Sequence, residues 1–272
     1  MVVNTFKLMA VTPMRRDLPL LVFLPGMDGT ALSLQQQSAA LKENFDARCF
    51  CLPNNDTTDW PGLVAQLVKL LSAEKASQPH RLTYLCGESF GACLALKTIA
   101  HAPALCDRLI LINPASSFNR QVWSYLGVSA LPWLPNSFYQ LSAFGLLPFL
   151  ISLGRVPEKT CQALRKAMQQ VTLETAAWRL SLLNNFQLER HLLKQFCGPT
   201  LLVASAADRL LPSTAEVRQL MVYLSDPRLI VLEQSGHGCL LEKDISLRSL
   251  LEQGRLMPET SRVRMSRKNH SV

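Results

Sequence analysis

The chain has 272 residues, 48% of them hydrophobic and 18% charged, with a formal net charge of +8. That length and apolar content suit one large α/β domain or two small ones and exclude a disordered chain. The charge does not point to nucleic acid, because Arg255, Arg262, Arg264, Arg267 and Lys268 crowd a C-terminal tail against Glu259 alone; such a tail is a solvated end with a modest attraction to anionic lipid headgroups.

Met1 to Arg16 lacks the charged start, apolar core and small-residue cleavage site of a signal peptide. Pro19 to Leu24 (PLLVFL) is a continuous apolar run that predicts a buried strand feeding the glycine-bearing loop PGMDGT. Phe45 to Leu52 (FDARCFCL) predicts the next strand and Pro53 to Asp59 a polar loop. Trp60 to Leu71 carries Leu63, Val64, Leu67, Leu70 and Leu71 at the spacing of one helical face, with Asp59 as N-cap and Pro61 in the first turn. Leu82 to Cys86 predicts a further buried strand, GESFG follows at once, and helix-forming residues begin at Ala92. Arg108 to Ile112 (RLILI) is another strand, closed by Asn113 and Pro114. Strands alternating with helices imply right-handed crossovers and a mostly parallel sheet.

From Ala115 to about Phe196 that alternation stops. The segment holds Trp123, Trp133 and Trp178 and helical stripes such as Cys161, Leu164, Met168 and Leu180, Leu183, with no strand candidate. Its most apolar part, Ala130 to Gly154, is broken by Pro132, Pro135 and Pro148 and never offers the roughly 20 clean apolar residues of a membrane span. The expectation is an all-helical cap over the C-terminal edge of the sheet, where such folds bind ligands. Its apolar residues, Trp133 and Phe144 among them, either line an acyl-chain pocket or form the cap's own core.

Alternation then resumes, with a strand at Pro199 to Ala204, a helix at Ala215 to Leu224, a strand at Arg228 to Leu232, the loop SGHG, and a final helix from about Leu240 to Leu251. Residues 1–114 and 197–252 thus read as the core, 115–196 as an inserted cap, and 253–272 as a basic, disordered tail. The eight cysteines form no disulfide framework: Cys49, Cys51, Cys86 and Cys93 lie in or beside apolar segments, as buried free thiols do. Neither C-x-x-C nor a paired Cys/His spacing for zinc occurs, so no metal or other cofactor is expected. The compartment reads as reducing and cytoplasmic, with a peripheral membrane contact as the further expectation.

A pattern G-x-S-x-G arises by chance in roughly one chain in ten of this size, so the letters GESFG decide little. Their placement between a strand and a helix decides more, because that is the setting of a nucleophile elbow. At the tip of such a turn, side chains two residues before and after the serine would collide where strand and helix cross, and Gly87 and Gly91 remove them. A serine needs a base oriented by an acid, arriving in the order Ser, Asp or Glu, His on loops after late strands. Of five histidines, His80 precedes a strand, His101 ends a helix, His191 lies in the cap and His270 in the tail. His237 alone follows the last strand, and its neighbours Gly236 and Gly238 would let the loop approach Ser89. Asp208 is the one carboxylate in the loop after PTLLVA, with Asp226 and then Glu233 as lesser candidates; its other use would be to cap the next helix, a task open to Ser213 or Thr214. Two backbone donors complete the expected site, Phe90 after the nucleophile and Met27 in the early loop. Asp28 either shapes that loop by an Asx-type turn or contacts substrate.

LPGMDGTALSL (Leu24 to Leu34), CGESFGACLAL (Cys86 to Leu96), LINPASSFNR (Leu111 to Arg120), ASAADRLLPS (Ala204 to Ser213) and SGHGCLLEKDISL (Ser235 to Leu247) together resemble the esterase/lipase/thioesterase half of the plastid and cyanobacterial phytyl ester synthase family, of the α/β-hydrolase superfamily. NPASSF and DRLLPS discriminate better than GESFG. The resemblance implies acyl transfer from a lipid or acyl-thioester donor to a long-chain alcohol such as phytol, or to diacylglycerol. Plant members carry a second acyltransferase domain with His-x4-Asp, a pattern absent here, His101 and Asp107 being one residue too far apart. The cap also reads as shorter than theirs, and Gly238 stands where the family often has Thr.

Overall fold

The computed structural model describes residues 6–121 and 145–258. Trp123, Trp133, Phe144 and most of the basic tail lie outside the described residues. Seven strands form one sheet: β1 (Leu8–Ala10), β2 (Leu20–Leu24), β3 (Asp46–Phe50), β4 (Thr83–Glu88), β5 (Arg108–Ile112), β6 (Pro199–Ser205) and β7 (Asp226–Leu232), in the order β1-β3-β2-β4-β5-β6-β7. Every neighbouring pair is parallel except β1 with β3, where Leu8 faces Phe50.

The apolar runs of β2, β4, β5 and β6 are continuous because helices cover both faces of the sheet. Side chains alternate along each strand and so divide between two cores. Leu20, Val22, Leu85, Leu109, Leu111 and Leu202 pack under α2 (Trp60–Ser77) and α3 (Phe90–His101). Leu21, Phe23, Tyr84, Cys86, Ile110 and Val203 face α1 (Leu32–Leu41) and α7 (Leu247–Gln253). The chain leaves β2 toward β3 on one side and returns to β4 on the other, so the loops after β2 and β4 diverge and leave a crevice at their carboxyl ends.

Between β5 and β6 the described residues are helical or irregular, with a short helical segment at 145–150, α4 (Glu158–Gln170), α5 (Leu173–Asn184) and a 3-10 turn at Arg190–Gln195. Trp60 binds this insertion to the core: it stacks on Phe90 at 4.6 Å, meets Phe186 edge-on at 5.5 Å, and its Nε1 donates to Leu182 O at 3.0 Å. The stripe Cys161, Leu164, Met168 packs with Ile151 and Val156 of the same segment and with Leu32 and Leu241 outside it, so these residues seat the insertion on the core. No helix among the described residues is long and apolar enough to cross a membrane. After β6, α6 (Ser213–Met221) precedes β7.

Three elements depart from the sequence reading. Strand β1 and helix α1 were not expected, and the single final helix is two pieces, a 3-10 turn at Cys239–Leu241 and α7. Asp59 does cap α2, accepting from Gly62 N at 2.9 Å.

Candidate active site

Ser89 is held at φ 54°, ψ −112°, a backbone conformation that side-chain-bearing residues rarely adopt. It persists because β4 and α3 fix both ends of the turn, Ser89 N donating to Ile112 O at 2.9 Å. The flanking glycines are required by space: a Cβ on Gly87 would lie 2.5 Å from Gly91 O, and one on Gly91 would lie 2.0 Å from Leu24 O. The turn leaves the serine side chain half-buried and facing the crevice.

Opposite it, His237 Nε2 lies 2.8 Å from Ser89 Oγ, and Nδ1 lies 2.7 Å from Asp208 Oδ2. Asp208 also accepts from Leu210 N at 2.8 Å, Leu211 N at 3.0 Å and the Ser213 hydroxyl. These bonds shape its own loop; the side chain does not cap α6, and neither does that of Ser213. Burial pushes the Asp208 pKa up, but the charge and hydrogen bond of His237, with Ser213 and Leu211, outweigh it and hold the carboxyl below its ordinary range. Burial likewise pulls the imidazole down, and Asp208, followed by the charge of Glu88, reverses this, leaving His237 above its ordinary value. An ionised Asp208 on Nδ1 selects the tautomer whose Nε2 lone pair faces the serine hydroxyl. Asp226 stands at the start of β7, the end of the strand away from this loop, and pairs with Arg228; Glu233 is exposed. His80, His101 and His191 are exposed as well.

The glycines beside His237 face the helical insertion and not Ser89, contrary to the expectation that they admit the approach to the serine. A Cβ on Gly236 would meet Ser152 N at 2.8 Å and Ile151 C at 3.1 Å, so this glycine admits the helical insertion, not the serine. Gly238 has only ordinary contacts at 3.4 Å, and its N–H donates to Leu150 O at 2.7 Å.

In the early loop, Gly26 lies beside Ser89: a Cβ there would be 4.0 Å from that of the serine. Among the described residues no hydrogen bond uses the backbone N–H of Met27 or of Phe90. Asp28 accepts from Thr30 N at 3.1 Å and from the Thr30 hydroxyl, an Asx-type turn, and burial raises its pKa. Arg179, from α5, donates to Met27 O at 2.6 Å and Pro53 O at 2.7 Å. A groove of about 860 Å³ lined by Thr57, Leu173, Ala177 and Trp178 runs along α5 and includes none of Ser89, Asp208 or His237.

Sequence reasoning passed over three buried residues beside this arrangement, of which the first two brace it. Asn113, buried with φ +43°, donates through Nδ2 to His237 O at 2.6 Å and Ser205 Oγ at 2.9 Å, while its Oδ1 accepts from Ser205 N at 2.8 Å. Its signal was its place closing β5, since asparagine tolerates the left-handed region. Glu242, buried, accepts from Gly236 N at 2.8 Å, Ser235 Oγ at 2.9 Å and Arg155 Nε at 2.7 Å, and so folds the histidine loop. Glu88, beside Ser89, is 6% exposed with Oε1 unpartnered among the described residues, and burial, with Asp28 adding, pushes its pKa up to about 7.

Residues 55–244 match the family model Hydrolase_4, described as serine aminopeptidase, S33. Phytyl ester synthase 1, chloroplastic, of Arabidopsis thaliana is 29% identical over 259 residues, 87% of this chain and 37% of that protein. Phytyl ester synthase 2, chloroplastic, of the same plant is 44% identical over 101 residues, 37% of this chain and 14% of that protein. The chain therefore spans well under half the length of these relatives. Among solved structures, a hydrolase from Pseudomonas aeruginosa PA01 superposes with a TM-score of 0.75 at 17% identity, covering 93% of this chain and 99% of that one, a likeness of fold alone.

Proposed function

Because the chain belongs to the serine aminopeptidase S33 family of α/β-hydrolases, we propose that it is a serine-dependent ester hydrolase or acyltransferase that works through an acyl-enzyme on Ser89. The observation that carries this reading is the unbroken relay Ser89 Oγ, His237, Asp208, at 2.8 and 2.7 Å, beside two backbone N–H groups with no other acceptor among the described residues.

In this reading Ser89 Oγ attacks the acyl carbonyl while His237 Nε2 takes its proton. Asp208 stays ionised and stabilises the imidazolium. The N–H groups of Met27 and Phe90 receive the oxyanion; Asp28, held in its turn by Thr30, has its pKa raised by burial, which favours the uncharged form beside that oxygen. On collapse His237 returns the proton to the leaving alcohol or thiol, and Ser89 holds the acyl group. Water or an alcohol then attacks under the same base, and the dryness of the site decides between them.

The similarity to the two phytyl ester synthases supports a lipid-like ester or acyl thioester as donor and a long-chain alcohol as acceptor. A cap role for residues 115–196, a peripheral lipid contact and substrate contacts by Trp133 and Phe144 belong to the same proposal; the last two residues lie outside the described ones. The test is labelling with a fluorophosphonate. The wild type is expected to label and Ser89→Ala to remain folded and unlabelled, and incubation with membrane lipids should release fatty acid or form new esters. A folded wild type that takes no probe overturns the reading.

A further inference from the structure

Arg179 is one of the largest side chains fully enclosed by the protein, 1% exposed, yet it comes from α5 of the helical insertion and not from the sheet. Burying a guanidinium is costly unless its donors are met and its charge is balanced. One arm, Nη1, donates to Met27 O at 2.6 Å and the other, Nη2, to Pro53 O at 2.7 Å. Its charge also reaches the Asp28 carboxylate in the same loop.

The loop is built to admit it. Gly29 has φ +71°, and a Cβ there would lie 3.0 Å from Arg179 Nη1 and 2.8 Å from Leu52 O. Gly29 N closes the turn on Gly26 O at 3.0 Å, and Leu52 N binds Gly29 O at 2.9 Å, so residues 26–29 are fixed from three sides. The rest of α5 is tied to the loop after β3: Thr172 N donates to Asn54 O at 3.1 Å and Trp178 Nε1 to Thr58 O at 3.1 Å. Met27 O belongs to the central peptide of this turn and Met27 N–H to the peptide before it, whose carbonyl, Gly26 O, accepts from Gly29 N; a bond that fixes the central plane is carried by the closed turn to the plane of Met27 N–H.

We propose that Arg179 is a positioning residue for the oxyanion donor: by holding Met27 O it aims Met27 N–H at the carbonyl bound at Ser89, and it thereby makes the oxyanion hole depend on where the helical insertion sits. The inference rests on the acyl-enzyme reading above. It follows that the insertion contributes to the chemical step and not to substrate binding alone.

The experiment compares wild type with Arg179→Gln and Arg179→Lys on a short soluble acyl ester. Arg179→Lys keeps the charge and one donor, and so remains folded where the glutamine variant is lost. Arg179→Gln is expected to lower kcat about 100-fold with KM unchanged, the scale of a misplaced catalytic group, and Arg179→Lys about 10-fold. Affinity for a trifluoromethyl ketone, whose adduct carries the oxyanion, should fall in parallel with kcat. A merely structural arginine would lower the melting temperature and leave kcat of the folded protein within twofold; that result in either variant overturns the proposal while leaving the function intact. A wild type that takes no fluorophosphonate removes both.

Discussion

Glu88 precedes Ser89 but, by strand alternation, turns to the opposite side of β4, where Tyr84 and Cys86 lie. The groups facing it are Asp28 from the loop after β2, Ser33 of α1, and His237, with Cys86 and Cys239 feeling its charge. Its pKa of about 7 lies above the ordinary 4.5, so the folded state holds a proton that the unfolded chain releases, and stability falls as pH rises through that window, by about 3 kcal/mol in all. Ionised Glu88 also raises the pKa of His237. Glu88→Gln should therefore flatten the pH dependence of unfolding between about pH 4.5 and 7. The same substitution moves the acid limb of kcat/KM to lower pH and sharpens it toward a single ionisation, since two coupled groups become one. Denaturant titrations and pH–rate profiles check both; an unchanged limb would show that Glu88 does not act on the base. Asp208 works in the opposite sense: its depressed pKa contributes stability above the ordinary carboxylate range that is lost as pH falls through the folded value.

At the scale of elements, the loop Ser235 to Gly238 is folded from two sides, by Glu242 from its own chain and by residues 150–152 of the insertion. Gly236→Ala places a Cβ 2.8 Å from Ser152 N, so backbone must shift and carry His237 with it. We expect kcat to fall about 100-fold, with a stability loss of about 1–3 kcal/mol from overpacking. Gly238→Ala, whose nearest contacts are at 3.4 Å, should stay near wild type in both. Equal effects at the two positions would remove the asymmetry that the packing implies. From sequence, the elbow was legible because strand, glycines and helix each obey a local rule. That His237 and Asp208 meet Ser89 was legible because chain order and loop position leave few competitors. Helix α1 was not, because one of its buried positions is polar: Gln37 donates to Leu240 O at 2.7 Å and Ile245 O at 3.0 Å and accepts from Leu247 N. The same long-range bonds hold residues 242–246 out of helix, which is why the apolar period from Leu240 misleads. Strand β1 has three residues and a mixed burial pattern, too little for a period-two signal.

For the whole molecule, the insertion presents two unlike faces. Inward, Ile151 is buried and Leu150 O receives Gly238 N. Outward, Leu146, Phe149 and Leu153 are 43%, 49% and 64% exposed; further along, Lys159 and Lys166 are exposed with Glu158 on α4, and Lys243, whose N–H donates to Arg155 O, is exposed beside Asp244. Large apolar side chains left in water make this face a candidate contact for an apolar surface. If this face meets lipid, the same segment that touches the histidine loop also faces the substrate's source, and a long-chain alcohol would reach the acyl-enzyme without crossing bulk water. The combined variant Leu146→Ser, Phe149→Ser, Leu153→Ser should lose most flotation with vesicles containing anionic lipid while keeping turnover of a short soluble ester within about threefold, because none of these side chains touches Ser89, Asp208 or His237 among the described contacts. Vesicle binding equal to wild type would assign the contact elsewhere. Loss of soluble turnover in step with binding would instead mean that the outer face supports the histidine loop, and the separation of docking from chemistry would not hold.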